Sequence, residues 1–155
     1  MRRAGSAFRR GLAADAADRR GLREIVERVL FTEPAGPEFR RAPCTRAGHH
    51  SYLGGLLEHI VSLMNVVDRV VELYPQLNRD LMLSGAFLHD LGKIDELEFE
   101  RASLGYTDTG QLLGHLVIAI SLLDEKLQAV EQQLGSAVPE ELVLRLKHII
   151  VSHHG

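Results

Sequence analysis

Apolar residues recur at helical spacing along most of this chain. Between Arg20 and Phe31 they fall at Leu22, Ile25, Val26, Val29 and Leu30, with charged residues opposite, which predicts an amphipathic helix. Pro34 ends it by biasing its predecessor out of the helical region, and Pro34, Gly36 and Pro37 predict a turn. Glu38 to Ala42 reads as a short helix before Pro43. A longer pattern follows at Leu56, Leu57, Ile60, Val61, Met64, Val67, Val70 and Val71. Ser51 is the expected cap of that helix, Pro75 its stop, and its broad apolar face predicts a central element. Asn78 is a cap for a helix over 79–90, with Gly92 as its stop. Residues 104–110 read as a turn or small hairpin. Thr109 is the expected cap of a helix from Gln111 to Leu134, which Gly135 ends. Pro139 opens a last helix through Leu142, Leu144, Leu146, Ile149 and Ile150. The predicted fold class is all-α, a bundle of about five to seven helices.

Length and composition narrow this picture. The 155 residues fit one domain, read as 19–155, preceded by a flexible basic arm over 1–18. The net charge of −3 hides an asymmetry. Six arginines against two aspartates leave +4 in the first 20 residues and −7 in the remainder. The body is therefore no general polyanion binder, and ions or a few local bases must supply any attraction for phosphate. A single cysteine, Cys44, excludes an internal disulfide framework and favours a reducing compartment. No apolar run reaches membrane-spanning length, so the expectation is a cytoplasmic protein with no membrane partner. Repeats, coiled-coil heptads and glycine-rich phosphate loops are absent, and the Gly54-Gly55 pair follows no strand.

The chemistry gathers at Phe87-Leu88-His89-Asp90-Leu91-Gly92-Lys93. Adjacent helical residues point about 100° apart, so His89 and Asp90 do not stack, yet they can converge on one object at the helix end. Imidazole and carboxylate are both ligands for divalent first-row metals, which makes an ion that object. The chain has eight histidines, at 49, 50, 59, 89, 115, 148, 153 and 154. His59, His89, His115 and His153 fall on separate predicted helices, the way metal sites are built in helical bundles. With Asp90 they exceed what one catalytic ion takes, and suit two ions sharing a carboxylate. The spacing leaves the parts of His49, His50 and His148 open.

The succession of His59, His89-Asp90 with Leu91-Gly92-Lys93, Gly114-His115 and His153-His154-Gly155 resembles the HD superfamily of metal-dependent phosphohydrolases, from Arg41 onward. The run from His49 to His59 and Leu73-Tyr74-Pro75 are similar to the HD domain of YhaM-type 3'-to-5' exoribonucleases. The resemblance implies that His59, His89 and Asp90 bind one ion. Asp90, His115 and His153 would bind a second, with His154 as ligand or phosphate contact. It implies hydrolysis of a phosphoester by metal-activated hydroxide at a mono- or dinuclear site. Asp90, Lys93 and His154 would be the catalytic residues, as bridge, charge partner of the phosphoryl oxygens and phosphate contact. The cofactors would be one or two divalent ions, with Mn, Fe, Co, Ni or Zn favoured over Mg by the imidazole-rich set. The substrate would be an RNA 3' end, a nucleotide or a cyclic nucleotide. The family's last metal-binding Asp lies beyond the His-His-Gly segment, and no Asp follows Asp124, so an HD core clipped at its C-terminal end is expected. Residues 1–41 are not expected to form an OB-fold. Two rival expectations stay open. One is a non-catalytic HD metal- or nucleotide-binding module that regulates a partner, with a homo-oligomer formed through an uncovered apolar face. The other is a di-iron oxygenase on the same ligands.

Overall fold

The computed structural model describes residues 16–31, 35–99 and 104–154. Among them α1 (Ala16–Phe31), α2 (Ala35–Arg41), α3 (Gly55–Leu73), α4 (Arg79–Leu88), the one-turn α5 (Lys93–Glu96), α6 (Asp108–Leu134) and α7 (Glu140–Ser152) build an all-α fold. A two-residue strand β1 (Leu97–Glu98) pairs antiparallel with β2 (Gly105–Tyr106), Leu97 opposite Tyr106. The hairpin expected over 104–110 thus supplies one strand, and its mate comes from just after α5.

The helical spacing read in the sequence produces the core. Leu22, Ile25 and Val29 of α1 are buried, as are Leu142, Leu146 and Ile150 of α7. They join Phe39, Leu56, Ile60, Leu88, Leu123 and Val130 in one cluster. Each such side chain contributes roughly 1.5–3 kcal/mol by leaving water. α1 packs on α2, α4 and α6, α4 on α3 and α7, and α5 on α6. Phe39 and Phe87 bring α2 and the end of α4 together, ring centroids 5.1 Å apart.

Several local expectations change. The helix expected to be central, α3, lies at the edge. It packs chiefly on α2 and α4, so only one side is covered: Leu56 and Ile60 are buried, while Val66 is 58% and Leu73 76% exposed. Ser51 does not cap it. The Ser51 hydroxyl donates to Gly48 O, and Gly54, at φ 85°, stands at the N-cap of a helix that starts at Gly55. Thr107, not Thr109, caps α6, its Oγ1 accepting from Gly110 N at 2.9 Å. Gly36 and Pro37 lie in the first turn of α2 rather than in a turn. Asn78 caps α4 as expected, accepting from Leu81 N at 3.0 Å, and Gly135 ends α6 with φ 66°. α1 begins at Ala16, and the rest of the predicted arm, Pro34 and Gly155 lie outside the described residues. Among the described residues no helix is long and apolar enough to cross a membrane.

Two glycines shape the region where the chemistry gathers. Gly92 is no stop: its backbone stays helical, φ −64°, and carries the chain into α5. A Cβ there would lie 2.0 Å from His115 O and 2.7 Å from Ala119 N, so Gly92 is what lets α6 approach this closely. Gly114, at φ 73° and ψ 161°, breaks α6 from within, in a region of backbone space that is essentially glycine's alone.

Candidate metal centre

Asp90 lies just past α4 and is 3% exposed. Its two carboxylate oxygens face different company. Within reach of Oδ2 are His89 Nε2 at 3.2 Å, Lys93 Nζ at 3.5 Å, His59 Nε2 at 3.6 Å and Cys44 Sγ at 3.9 Å. Oδ1 faces His115 Nε2 at 3.6 Å and His153 Nε2 at 3.7 Å. His154 Nε2 is 3.0 Å from His115 Nε2. Every site residue singled out in the sequence therefore lies around this one carboxylate.

Local folding aims the rings. At the end of α4, His89 Nδ1 donates to Ala86 O at 2.7 Å, and at the end of α7, His153 Nδ1 donates to Ile150 O at 2.7 Å. The break at Gly114 turns His115 toward α5. There Glu96 Oε1 accepts from both the His115 backbone N–H, at 3.0 Å, and His115 Nδ1, at 3.1 Å. A proton held on Nδ1 leaves the Nε2 lone pair free, which is how partner groups orient metal-binding imidazoles. Lys93 Nζ donates to Cys44 O at 2.8 Å, and Cys44 N–H donates to His50 O at 3.0 Å, which fixes the 42–55 loop over the site.

The electrostatics keep these groups ready for a cation. Burial pushes the Asp90 carboxyl up, but its contacts with His89, Lys93 and His115 outweigh it and hold the pKa at about 2. Burial lowers the pKa of His59 and of His153, which favours the neutral ring in each. Burial opposes ionisation of Glu96, yet hydrogen bonds from His115 hold it below the usual carboxylate range.

The residues fit an ion. Asp90 Oδ1 and His153 Nε2 are buried without a hydrogen-bond partner among the described residues. Leaving such atoms unsatisfied costs roughly 1–3 kcal/mol each, and a shared cation removes that cost. Asp90, His115, His153 and His154 offer ligand atoms that all lie within 4.8 Å of one another, and so do Cys44, His59 and Asp90. A cleft of about 520 Å³ opens onto the centre. His49, His50 and His154 line its polar side, and Leu63, Val67, Met82 and Ile149 its apolar side. His148 is exposed on α7 and does not line it. Two contributors escaped the sequence reading. Glu96 sat in an acidic stretch with no spacing to mark it, and Cys44 was a lone thiol 46 residues from its carboxylate.

Fold and site together define a helical-bundle protein whose histidines gather on one buried carboxylate. Residues 56–155 match the model of the HD domain family, and the chain belongs to that family. It is similar to the 3'-5' exoribonuclease YhaM of Bacillus subtilis (strain 168), 43% identical over 118 residues, which cover 76% of this chain and 35% of that protein. The YhaM protein of Bacillus velezensis is 41% identical over the same length, with 76% and 35% covered. That of Listeria innocua serovar 6a is 39% identical, with 76% and 36% covered. The chain thus spans about a third of the length of the curated relatives it matches. No solved structure matches. The family implies divalent metal, and the His/Asp groups above are able to hold it.

Proposed function

We propose that this chain hydrolyses phosphodiesters, with the 3' end of single-stranded RNA as substrate, in dependence on divalent ions held around Asp90. One observation carries the reading: a buried, ionised carboxylate presents each oxygen to its own set of imidazole nitrogens. His59, His89 and Asp90 would hold one ion; Asp90, His115 and His153 the other, with His154 as a further ligand or phosphate contact. Bound ions supply Lewis acidity toward a phosphoryl oxygen and a water acidified to near neutrality.

The chain's own groups do the rest. Glu96, Ala86 and Ile150 hold three rings so that Nε2 faces Asp90. Lys93 adds a fixed positive charge at the cleft wall, opposing the −7 of the body where a phosphate must enter. His154, exposed at the mouth, is placed to contact phosphate or to hand a proton to the leaving oxygen through a ring nitrogen. Leu63, Val67, Met82 and Ile149 give a base or ribose an apolar wall beside the polar centre. The YhaM relatives, named as 3'-5' exoribonucleases, support RNA over other phosphoesters.

The test is a 5'-labelled single-stranded RNA incubated with the purified chain and manganese, beside bis-p-nitrophenyl phosphate. Shortening from the 3' end that stops with a chelator and in Asp90→Asn is the expected result. Metal bound without turnover of either substrate would replace this reading with a regulatory metal-binding module.

A further inference from the structure

Cys44 belongs to neither ligand set just described. It is 5% exposed, lines the cleft, and points its sulfur at Asp90 Oδ2. We infer that Cys44 is a ligand of the ion on the Oδ2 face, with His59 and Asp90, so that this face is a mixed thiolate, imidazole and carboxylate site suited to zinc. The inference rests on the metal-centre reading above and adds to it a ligand and a preference among metals.

Three observations carry it. The first is distance. Cys44 Sγ is 3.9 Å from Asp90 Oδ2, and the sulfur, a His59 nitrogen and an Asp90 oxygen all lie within 4.8 Å of one another. Ligands around a tetrahedral ion stand about 3.5 Å apart, given bonds of about 2.0–2.3 Å, so small side-chain shifts close the site. The second is placement. The Cys44 backbone is tied at both ends, its N–H to His50 O and its carbonyl to Lys93 Nζ, so the thiol is held toward the cleft rather than left to drift. The third is independent of the cysteine. Asp90 is 3% exposed with Oδ1 partnerless, and at its other oxygen His59 Nε2 stands 3.6 Å away, on the same side as the sulfur. The sulfur thus stands with an imidazole nitrogen around one oxygen of a buried carboxylate whose other oxygen is unsatisfied. A buried thiol that merely packs behaves as a small hydrophobe; this one faces a carboxylate and an open cleft.

Ligation exchanges one bond for another. The S–H bond breaks, a sulfur–metal bond forms, the proton leaves to solvent, and no atom changes oxidation state. A thiolate favours zinc, and after it cobalt or iron, over manganese and magnesium, which prefer oxygen.

Cobalt(II) substitution tests this on the full chain, stripped with a chelator and reloaded. The expected spectrum has visible d–d bands together with a near-ultraviolet thiolate-to-cobalt charge-transfer band. In Cys44→Ser the charge-transfer band disappears while d–d bands remain, and zinc binding weakens by about tenfold or more relative to manganese, since loss of groups that merely orient ligands costs that much. Bound zinc should also shield the wild-type thiol from iodoacetamide, a readout that needs no variant. Cobalt bound with d–d bands and no charge-transfer band overturns the assignment of Cys44 and leaves the metal centre standing. Failure of cobalt to bind at all overturns both.

Discussion

The two oxygens of Asp90 look onto unlike halves of the site. Around Oδ2 the neighbours are chemically mixed: two imidazoles, an ammonium and a thiol, from α3, the end of α4, α5 and the 42–55 loop. Around Oδ1 they are imidazoles alone, from the broken α6 and the end of α7. The mixed half already carries a compensating charge in Lys93. The imidazole half holds both partnerless buried atoms, Asp90 Oδ1 and His153 Nε2. On the proposed reading, one carboxylate serves two cations of different need. The half without a resident positive charge gains more from an ion and should fill first.

The sharpest way to break this comparison is to remove what the halves share. Asp90→Asn should cost both ions and reduce phosphodiester hydrolysis about a thousandfold or more, on the scale of several kcal/mol of lost stabilisation. Metal analysis after dialysis and a rate assay check it, with circular dichroism to show the fold intact. Next come the halves taken singly. His153→Ala should remove the tighter ion and His59→Ala the weaker one, each lowering bound metal by about one ion per chain. Calorimetric titration separates the two, and loss of the same ion in both variants would erase the distinction.

Orientation follows. Glu96→Gln keeps a hydrogen-bond acceptor but loses the charge that orients His115, and should weaken the Oδ1 ion by about 10–100-fold while sparing the other. Smaller still is the backbone. Gly114→Ala meets no atom within 4 Å, so its cost is conformational, about 1–3 kcal/mol of stability by denaturant titration. Last is acid. Burial lowers the pKa of His59 in one half and of His153 in the other, so each has a folded pKa below the ordinary histidine value of 6.5. Their contribution is complete above that value and is lost as pH falls through the lowered folded pKa values. The melting temperature of the ion-free chain should drop as the buffer is taken below about pH 6.5.

What could be read from the residues alone was what is local or strongly periodic. Asn78, Gly135 and the α1 and α7 stripes declared themselves because capping, left-handed termination and helical spacing act within a few residues. The histidines and Asp90 were legible as a set because their chemistry is unusual. Caps competed where several candidates stood close together, and Thr107 took α6 because its hydroxyl, not that of Thr109, reached Gly110 N. Gly92 was misread as a terminator because its reason lies 23 residues away, in the His115 carbonyl. Glu96 and Cys44 belong to the same kind. Each acts through a partner that only the packing of α5, α6 and the 42–55 loop brings near, and no spacing rule encodes that approach. The exposed outer side of α3 is the converse case, since an apolar pattern reports what can be buried and not how many neighbours arrive to bury it.

Ala86 and Ile150 each lend a main-chain oxygen to a ring three positions later, at the close of α4 and of α7. Those two imidazoles thus inherit their bearing from the last turn of a helix, before any ion is present. The socket is moulded by folding rather than by its contents. On the proposed reading, such a socket should release one ion and accept another without its architecture having to be rebuilt each time.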